Sequence, residues 1–274
     1  FLRPVTKWTR TEEADATVFT SKYVIPFVWL SRQAILYVDE ASGAYEVLIN
    51  GKKVGYAANA YAPAEFNITK ASKEETNTIS IRVLKNHWSR AMECYVQNPE
   101  PRLGEVYVMS QPIVRVRDVV HNTSVDLSQK HANVELGFVV KTESLNPKKA
   151  RIHYEILAPD TTVVTYGHRD VELDMKREDT IKIMTQIPYE LTWCADMPVR
   201  YRLNLKTQIE GRYVEYETQL LGFREVKHSE NGDFYINGIK TDLNYGNFDV
   251  HKITDKDILG ARLLGYNALR FPAS

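Results

Sequence analysis

The sequence has little of what usually assigns a protein at sight. It carries only 2 cysteines in 274 residues, Cys94 and Cys194, and neither stands in a CxxC pair or beside a histidine. That excludes a zinc ribbon or a disulfide-dense module; the reading is two buried thiols, with a single disulfide between domains as the alternative. The 7 histidines form no HxH or HExxH pattern, so neither a protein metal site nor a cofactor is expected. GxSxG, P-loop and GxGxxG motifs are absent, which removes the nucleophile elbow and the nucleotide cradles. Lys+Arg and Asp+Glu balance at 35 each with no basic run, so there is no electrostatic footprint for nucleic acid. No apolar stretch nears the ~20 residues that span a bilayer. The chain opens at Phe1 without a hydrophobic leader, which reads as a leader removed or a start chosen for expression. The compartment stays open, with a periplasmic or secreted location favoured over a cytoplasmic one. Helical periodicity is scarce until about residue 254.

What is present is β-structure. Hydrophobic residues make up 43% of the chain and 16 residues are tyrosine, a composition suited to sheet surfaces and able to bury a core. Residues 34–40 read as a buried strand, and residues 45–57 as a hairpin turning at Asn50-Gly51, a pair that suits the two positive φ angles of a type I′ turn. Residues 64–69 form another short strand. In residues 78–84, Ile79, Ile81 and Val83 share one face. Strands at 105–110 and 113–120 follow. A second series, at 133–141, 150–157, 162–166, 170–173, 179–187, 199–208 and 213–221, gives about seven strands over ~105 residues, the size of an immunoglobulin-like sandwich without its paired cysteines. After Gly222 the character changes. A second Asn-Gly hairpin, at Asn237-Gly238, precedes a helix that Thr254 can cap with Asp257, with Gly265 as its left-handed end residue and residues 267–271 as a following strand. Strand, helix, strand opens a parallel α/β unit.

Several runs, in order, resemble glycoside hydrolase family 2, the beta-galactosidases above all. Asn50-Gly51 through Val54-Gly55-Tyr56 is similar to that family's NG-x-x-VGY hairpin, and Pro63 through Ile68 to its P-x-EF strand. Leu191 through Pro198, Gly222-Phe223-Arg224-Glu225-Val226, Asn237-Gly238-Ile239-Lys240 and Gly265-Tyr266-Asn267-Ala268-Leu269-Arg270 are similar to later segments. The resemblance implies a mainly β chain: a jelly-roll, sugar-binding-like sandwich at 1–112, an immunoglobulin-like sandwich at 113–223, and at 224–274 the first strands and helix of an incomplete (βα)8 barrel. It also implies a non-catalytic region of a retaining glycosidase acting on terminal β-linked sugars. The two catalytic carboxylates would lie on later barrel strands, so none is expected here and the chain alone should be inactive.

By the same resemblance Arg270, ending the second barrel strand, would hold a catalytic carboxylate, and Asn244 would bind a sugar hydroxyl; each also reads as a structural residue. Two site histidines of the family are replaced, by Tyr245-Gly246 and by Phe271-Pro272-Ala273-Ser274, which leaves the sugar open. Asp249 and His251 read as surface residues. His87-Trp88 is either a platform for sugar or edge packing, and Trp193 is an interdomain core residue. Asn67 and Asn122 begin sequons, meaningful only in a secreted eukaryotic protein. The expected partner is carbohydrate, bound weakly or not at all by the isolated chain. Apolar side chains at Ile258, Leu263 and Leu269 would be left for the second sandwich or a second copy. Two rival readings stand beside this one, a stand-alone carbohydrate-binding module and a structural sandwich array.

Overall fold

The computed structural model describes residues 1–58, 62–88, 100–175, 177–249 and 252–271. The fold divides into two compact units, Phe1–Ile113 and Val114–Ser274.

Unit 1 holds nine strands: β1 (Leu2–Pro4), β2 (Thr9–Glu12), β3 (Ala16–Val24), β4 (Gln33–Val38), β5 (Tyr45–Ile49), β6 (Lys52–Ala57), β7 (Ala64–Asn67), β8 (Thr76–Leu84) and β9 (Val106–Gln111). They form two sheets, in the orders β1-β9-β4-β7 and β2-β3-β8-β5-β6. The alternation that marks β5 and β8 in sequence is what builds the core. Tyr45, Val47, Ile49, Ile79 and Ile81 are each fully buried, and Leu36, Val38, Val106 and Val108 pack with them from the other sheet. The opposite face of the larger sheet is ionic. Arg82 reaches Glu46 at 2.7 Å and Glu13 at 2.8 Å, and Lys53 meets Glu46 at 2.5 Å. Strands β1 to β3 escaped the sequence reading. Ala16 to Phe19 are all buried, so the run lacks the half-exposed alternation that signals a strand.

Unit 2 begins with seven strands: β10 (Val114–Asp126), β11 (His131–Thr142), β12 (Lys148–Leu157), β13 (Val163–Leu173), β14 (Glu178–Pro188), β15 (Tyr201–Ile209) and β16 (Arg212–Leu221). Their sheets run β10-β11-β14 and β13-β12-β15-β16, and Leu136, Phe138, Ile152, Ile156, Tyr201 and Leu203 fill the space between them. Two expectations are corrected here. The strands read at 162–166 and 170–173 are one, because Gly167, which looks like a break, sits against Tyr154 in mid-strand: a Cβ there would stand 2.8 Å from the Tyr154 hydroxyl. The strand read at 113–120 runs on to Asp126, its polar second half paired along β11.

Glu215 of β16 links the two sheets. It accepts the Val116 backbone N–H of β10 at 3.0 Å, where that strand is bulged, and the Thr207 hydroxyl of β15 at 3.1 Å. Burial pushes its carboxyl above the usual carboxylate range, with Glu217 adding to the rise and Arg115 opposing it. A carboxyl whose folded pKa exceeds its unfolded value favours the folded state only while protonated. Unit 2 is therefore expected to lose stability as pH rises through and above the ordinary carboxylate range. Glu215→Gln, which keeps an acceptor for Val116 and Thr207, should flatten that loss. Urea unfolding from pH ~4 to ~8 checks it; an unchanged pH slope in the variant would show that Glu215 is not its source.

Beyond the sandwich lie a meander, β17 (Val226–His228), β18 (Phe234–Ile236) and β19 (Ile239–Lys240), then β20 (Tyr245–Asn247), helix α1 (Asp255–Leu263) and β21 (Ala268–Arg270). The cap of α1 is as expected. Thr254 Oγ1 accepts the Asp257 N–H, Asp257 Oδ2 accepts the Thr254 N–H at 2.9 Å, and Gly265 closes the far end at φ +87°. Its face is not. Only Ala261 is buried, while Leu263 is 84% and Leu264 77% exposed. No helix among the described residues is long and apolar enough to cross a membrane.

Candidate functional site

Strands β20 and β21 are the one parallel pair among the described strands, with α1 as their crossover. Side chains alternate along a strand, and parallel partners share a face. The register Tyr245↔Ala268, Gly246↔Leu269, Asn247↔Arg270 therefore puts Tyr245, Asn247 and Arg270 on one side. The Arg270 guanidinium lies 5.7 Å from the centre of the Tyr245 ring, a cation–π contact that holds it along the pair. Asn247 and Arg270 stand together at the C-terminal end, where parallel α/β architectures carry their sites.

Asn244 is at the other end. Its backbone N–H donates to Asn267 Oδ1 at 2.9 Å and its Nδ2 to the Gly265 carbonyl at 3.1 Å. Asn267 returns a backbone N–H to the Asn244 carbonyl at 2.9 Å and reaches the Asp242 carbonyl through Nδ2 at 2.8 Å. Two asparagines thus clip the entry loops of the pair, and the fold does not bring Asn244 to Arg270. The residue it does bring, Asn247, was missed in sequence. Its signal was the alternation Tyr245-Gly246-Asn247, which faces 247 with 245 and ends the strand one side chain later.

The meander that precedes the pair is fastened to the unit 2 sandwich through Asn237, which is 4% exposed and sits at φ +51° in the second Asn-Gly turn. Its Nδ2 donates to Thr192 Oγ1 at 2.9 Å and to the Trp193 carbonyl at 3.0 Å, and its Oδ1 accepts the Glu225 N–H at 2.9 Å. Trp193 belongs to this junction: Arg224 lies 4.3 Å from its ring centre, and its backbone N–H donates to the Phe223 carbonyl at 2.8 Å. From α1, Arg262 Nη2 donates to the Asp196 carbonyl at 2.8 Å. A cleft of about 420 Å³ runs along the junction, lined by Tyr189, Glu190, Asp196, Met197, Thr241 and Asn267 among others. Cys194 on its wall is a free, half-buried thiol; Cys94 and His251 lie outside the described residues. Asp249 Oδ2 pairs with Lys252 Nζ at 3.1 Å. Among the described residues no cluster of His, Cys, Asp or Glu could hold a metal ion.

Comparison with known proteins places the chain in a family. Residues 4–129 match the family described as glycosyl hydrolases family 2, sugar binding domain, and residues 114–224 match glycosyl hydrolases family 2. The beta-galactosidase of Priestia megaterium is 27% identical over 94% of this chain, and that of Psychromonas ingrahamii 25% over 81%. The chain spans 27% and 22% of the lengths of these two relatives. A Bacteroides uniformis beta-glucuronidase superposes with a TM-score of 0.79 at 18% identity, over 94% of this chain and 33% of that one. A family 2 glycosyl hydrolase of Bacteroides cellulosilyticus does so with a TM-score of 0.79 at 19% identity, over 95% and 37%. With one family's two successive domains matched from residue 4 to residue 224, the chain belongs to glycosyl hydrolase family 2.

Proposed function

We propose that this chain is the non-catalytic scaffold region of a retaining, beta-galactosidase-like enzyme that hydrolyses terminal β-linked sugars by double displacement. On this reading the sandwiches are of jelly-roll and immunoglobulin-like type, and residues 224–274 begin a (βα)8 barrel. Asn247 and Arg270 stand on its rim, Arg270 to orient and charge-stabilise a carboxylate of the full enzyme, Asn247 to hydrogen-bond a sugar hydroxyl. The observation that carries the reading is the parallel β20-α1-β21 unit, with both polar side chains at the C-terminal end of one face, directly after two domains of the family. Retaining hydrolysis needs two carboxylates ~5–5.5 Å apart across the scissile bond, and the reading places them on strands beyond β21. Sugar binding by the isolated rim is then weak or absent.

The test is turnover of a chromogenic β-galactoside. The 274-residue chain is expected to give none above buffer. The polypeptide extended by its downstream region is expected to turn over and to lose activity on Arg270→Ala with its folding intact. Turnover by the short chain, free of contaminants, would overturn the non-catalytic assignment, and full activity of the extended Arg270→Ala variant would remove Arg270 from the site.

A further inference from the structure

The link from β3 to β4 presents apolar side chains to water. It is a 3-10 turn, Phe27–Trp29, entered through Pro26 at φ −67°. The Trp29 N–H donates to the Pro26 carbonyl at 2.8 Å, and the Leu30 N–H to the Phe27 carbonyl at 3.1 Å. With three residues per turn, Trp29 points to a different side from Phe27 and Val28. Trp29 is 4% exposed and Ile25 is buried, so both root the turn in the core of unit 1. Phe27 is 82% and Val28 68% exposed; they form the crest of the turn, with Val24 and Leu30 exposed beside them.

Cations surround this crest. Lys22 shares the outer face of β3 with Val24, and both are exposed. The Arg3 guanidinium lies 5.7 Å from the Trp29 ring centre, at the base of the turn. The neighbouring turn, residues 68–73, is tied to both ends of the link: Thr69 Oγ1 accepts the Ala34 N–H at 2.9 Å, and the Tyr23 and Ser72 hydroxyls share a hydrogen bond. It contributes Lys70 and Lys73, both exposed. Among the described residues none of these four cations is ion-paired, whereas Lys53, Arg82 and Lys85 of the same unit each meet a carboxylate. Residues 16–38 hold no acidic side chain, and Glu74 and Glu75 after the second turn are two carboxylates against four cations.

We propose that this crest docks on an anionic lipid surface. Phe27, Val28, Leu30 and Val24 enter the boundary between headgroups and acyl chains, and Arg3, Lys22, Lys70 and Lys73 meet the headgroups. The turn is already rooted by Trp29 and Ile25, so little backbone freedom is lost on docking. A protein partner is disfavoured on two grounds. Three of the four unpaired cations are lysine, which is depleted from protein interfaces, where arginine is enriched. Four apolar side chains on a projecting turn also cover far less than the ~800 Å² that each partner buries in a standard protein interface. A lipid surface needs neither that area nor a hollow shaped to the crest. The contact is peripheral: the turn reaches into the interface and does not cross the bilayer. The inference rests on unit 1 alone and stands apart from the reading of residues 224–274.

The experiment is cosedimentation of the 274-residue chain with vesicles of equal parts phosphatidylcholine and phosphatidylglycerol, and with vesicles of phosphatidylcholine alone. The chain is expected to sediment with the first at low salt, to be released as salt screens the cations, and to stay in solution with the second. Phe27→Ser with Val28→Ser, and separately Lys22→Glu with Lys73→Glu, should each weaken partitioning by about tenfold or more. The unfolding temperature should not move in either variant, because all four side chains are exposed. Phe27→Trp should partition as the parent chain does, and its added emission should shift to the blue on vesicles. No binding to either vesicle, equal binding to both, or unchanged partitioning in the Phe27→Ser, Val28→Ser variant would overturn the proposal. A dimer that forms without lipid and is lost on Phe27→Ser would assign the crest to a second copy instead. Binding that disappears in the polypeptide extended by its downstream region would assign it to an intrachain contact, and overturns the proposal equally.

Discussion

Asn237→Ala is expected to loosen the fastening of the tail of unit 2 by about 3 kcal/mol, the most damaging single substitution we foresee there. The substitution leaves the Glu225 N–H and the Trp193 carbonyl without their partner, in a setting where the side chain itself is 4% exposed. Each buried group so orphaned costs about 1–3 kcal/mol. Alanine must also hold φ +51°, adding about 1 kcal/mol of left-handed strain that asparagine tolerates better. Because these bonds tie a small meander to a large sandwich, the loss should appear as local opening before global unfolding. Hydrogen exchange at the Glu225 amide should speed up about a hundredfold, while amides in the centre of β11 and β12 stay protected. Asn50→Ala is the control. That residue sits at the same φ +51° and makes the same kind of clasp in unit 1, to the Ala71 carbonyl, Asn77 and the Thr78 N–H, but its own side chain is exposed, so water can replace its bonds; about 1–2 kcal/mol is expected, mostly the same left-handed strain. If the two variants cost the same, burial of the second clasp is not what makes it matter.

Gly55→Ala is expected to destabilise unit 1 by about 2–3 kcal/mol, as overpacking of a filled core. Residue 55 stands opposite Val47 on the buried side of β5 and β6. A Cβ there would fall 2.0 Å from Cδ1 and 2.4 Å from Cε1 of Phe66. The Phe66 ring cannot step aside freely. It is 8% exposed and meets the fully buried Tyr45 edge-on, with ring centres 6.0 Å apart. Differential scanning calorimetry should show the unit 1 transition moving down while that of unit 2 stays, since the units have separate cores. Gly55→Ala with Phe66→Leu should recover part of the loss, because the shorter side chain vacates the space the methyl needs. An unshifted transition in the single variant would mean that the ring moves at no cost.

How much of this was legible depended on whether a signal was local. The hairpin at Asn50-Gly51 could be read because two residues with positive φ between alternating strands determine the turn by themselves. The capping box of α1 was legible for the same reason, with Thr254 and Asp257 spaced to close on each other. Strand β3 was not, since burial on both sides erases its period, nor the continuity of β13 through residues 167–169, since the ring that Gly167 makes room for comes from a neighbouring strand. At the candidate site, Arg270 is a candidate by the resemblance of the run that ends its strand. Asn244 follows only from the family resemblance, and the register that sets Asn247 beside Arg270 cannot be read along the chain, which shows neighbours in sequence and not which end of a strand they reach.

The amino-acid sequence by itself determined the β class, the two Asn-Gly turns, the helix and its cap, and the family to which the chain is similar. All of these rest on preferences settled within a few residues, or on patterns repeated along the chain. Tertiary structure alone decided that Asn247, and not Asn244, stands beside Arg270, that Asn237 is the buried clasp of the tail, that Gly55 is filled by Phe66, and that Trp88 lies on the surface with Tyr56 and His87. Each of these joins residues far apart in the chain or fixes which side of an element faces water. Both follow from strand register, and a single-residue slip in register exchanges the two faces of a strand.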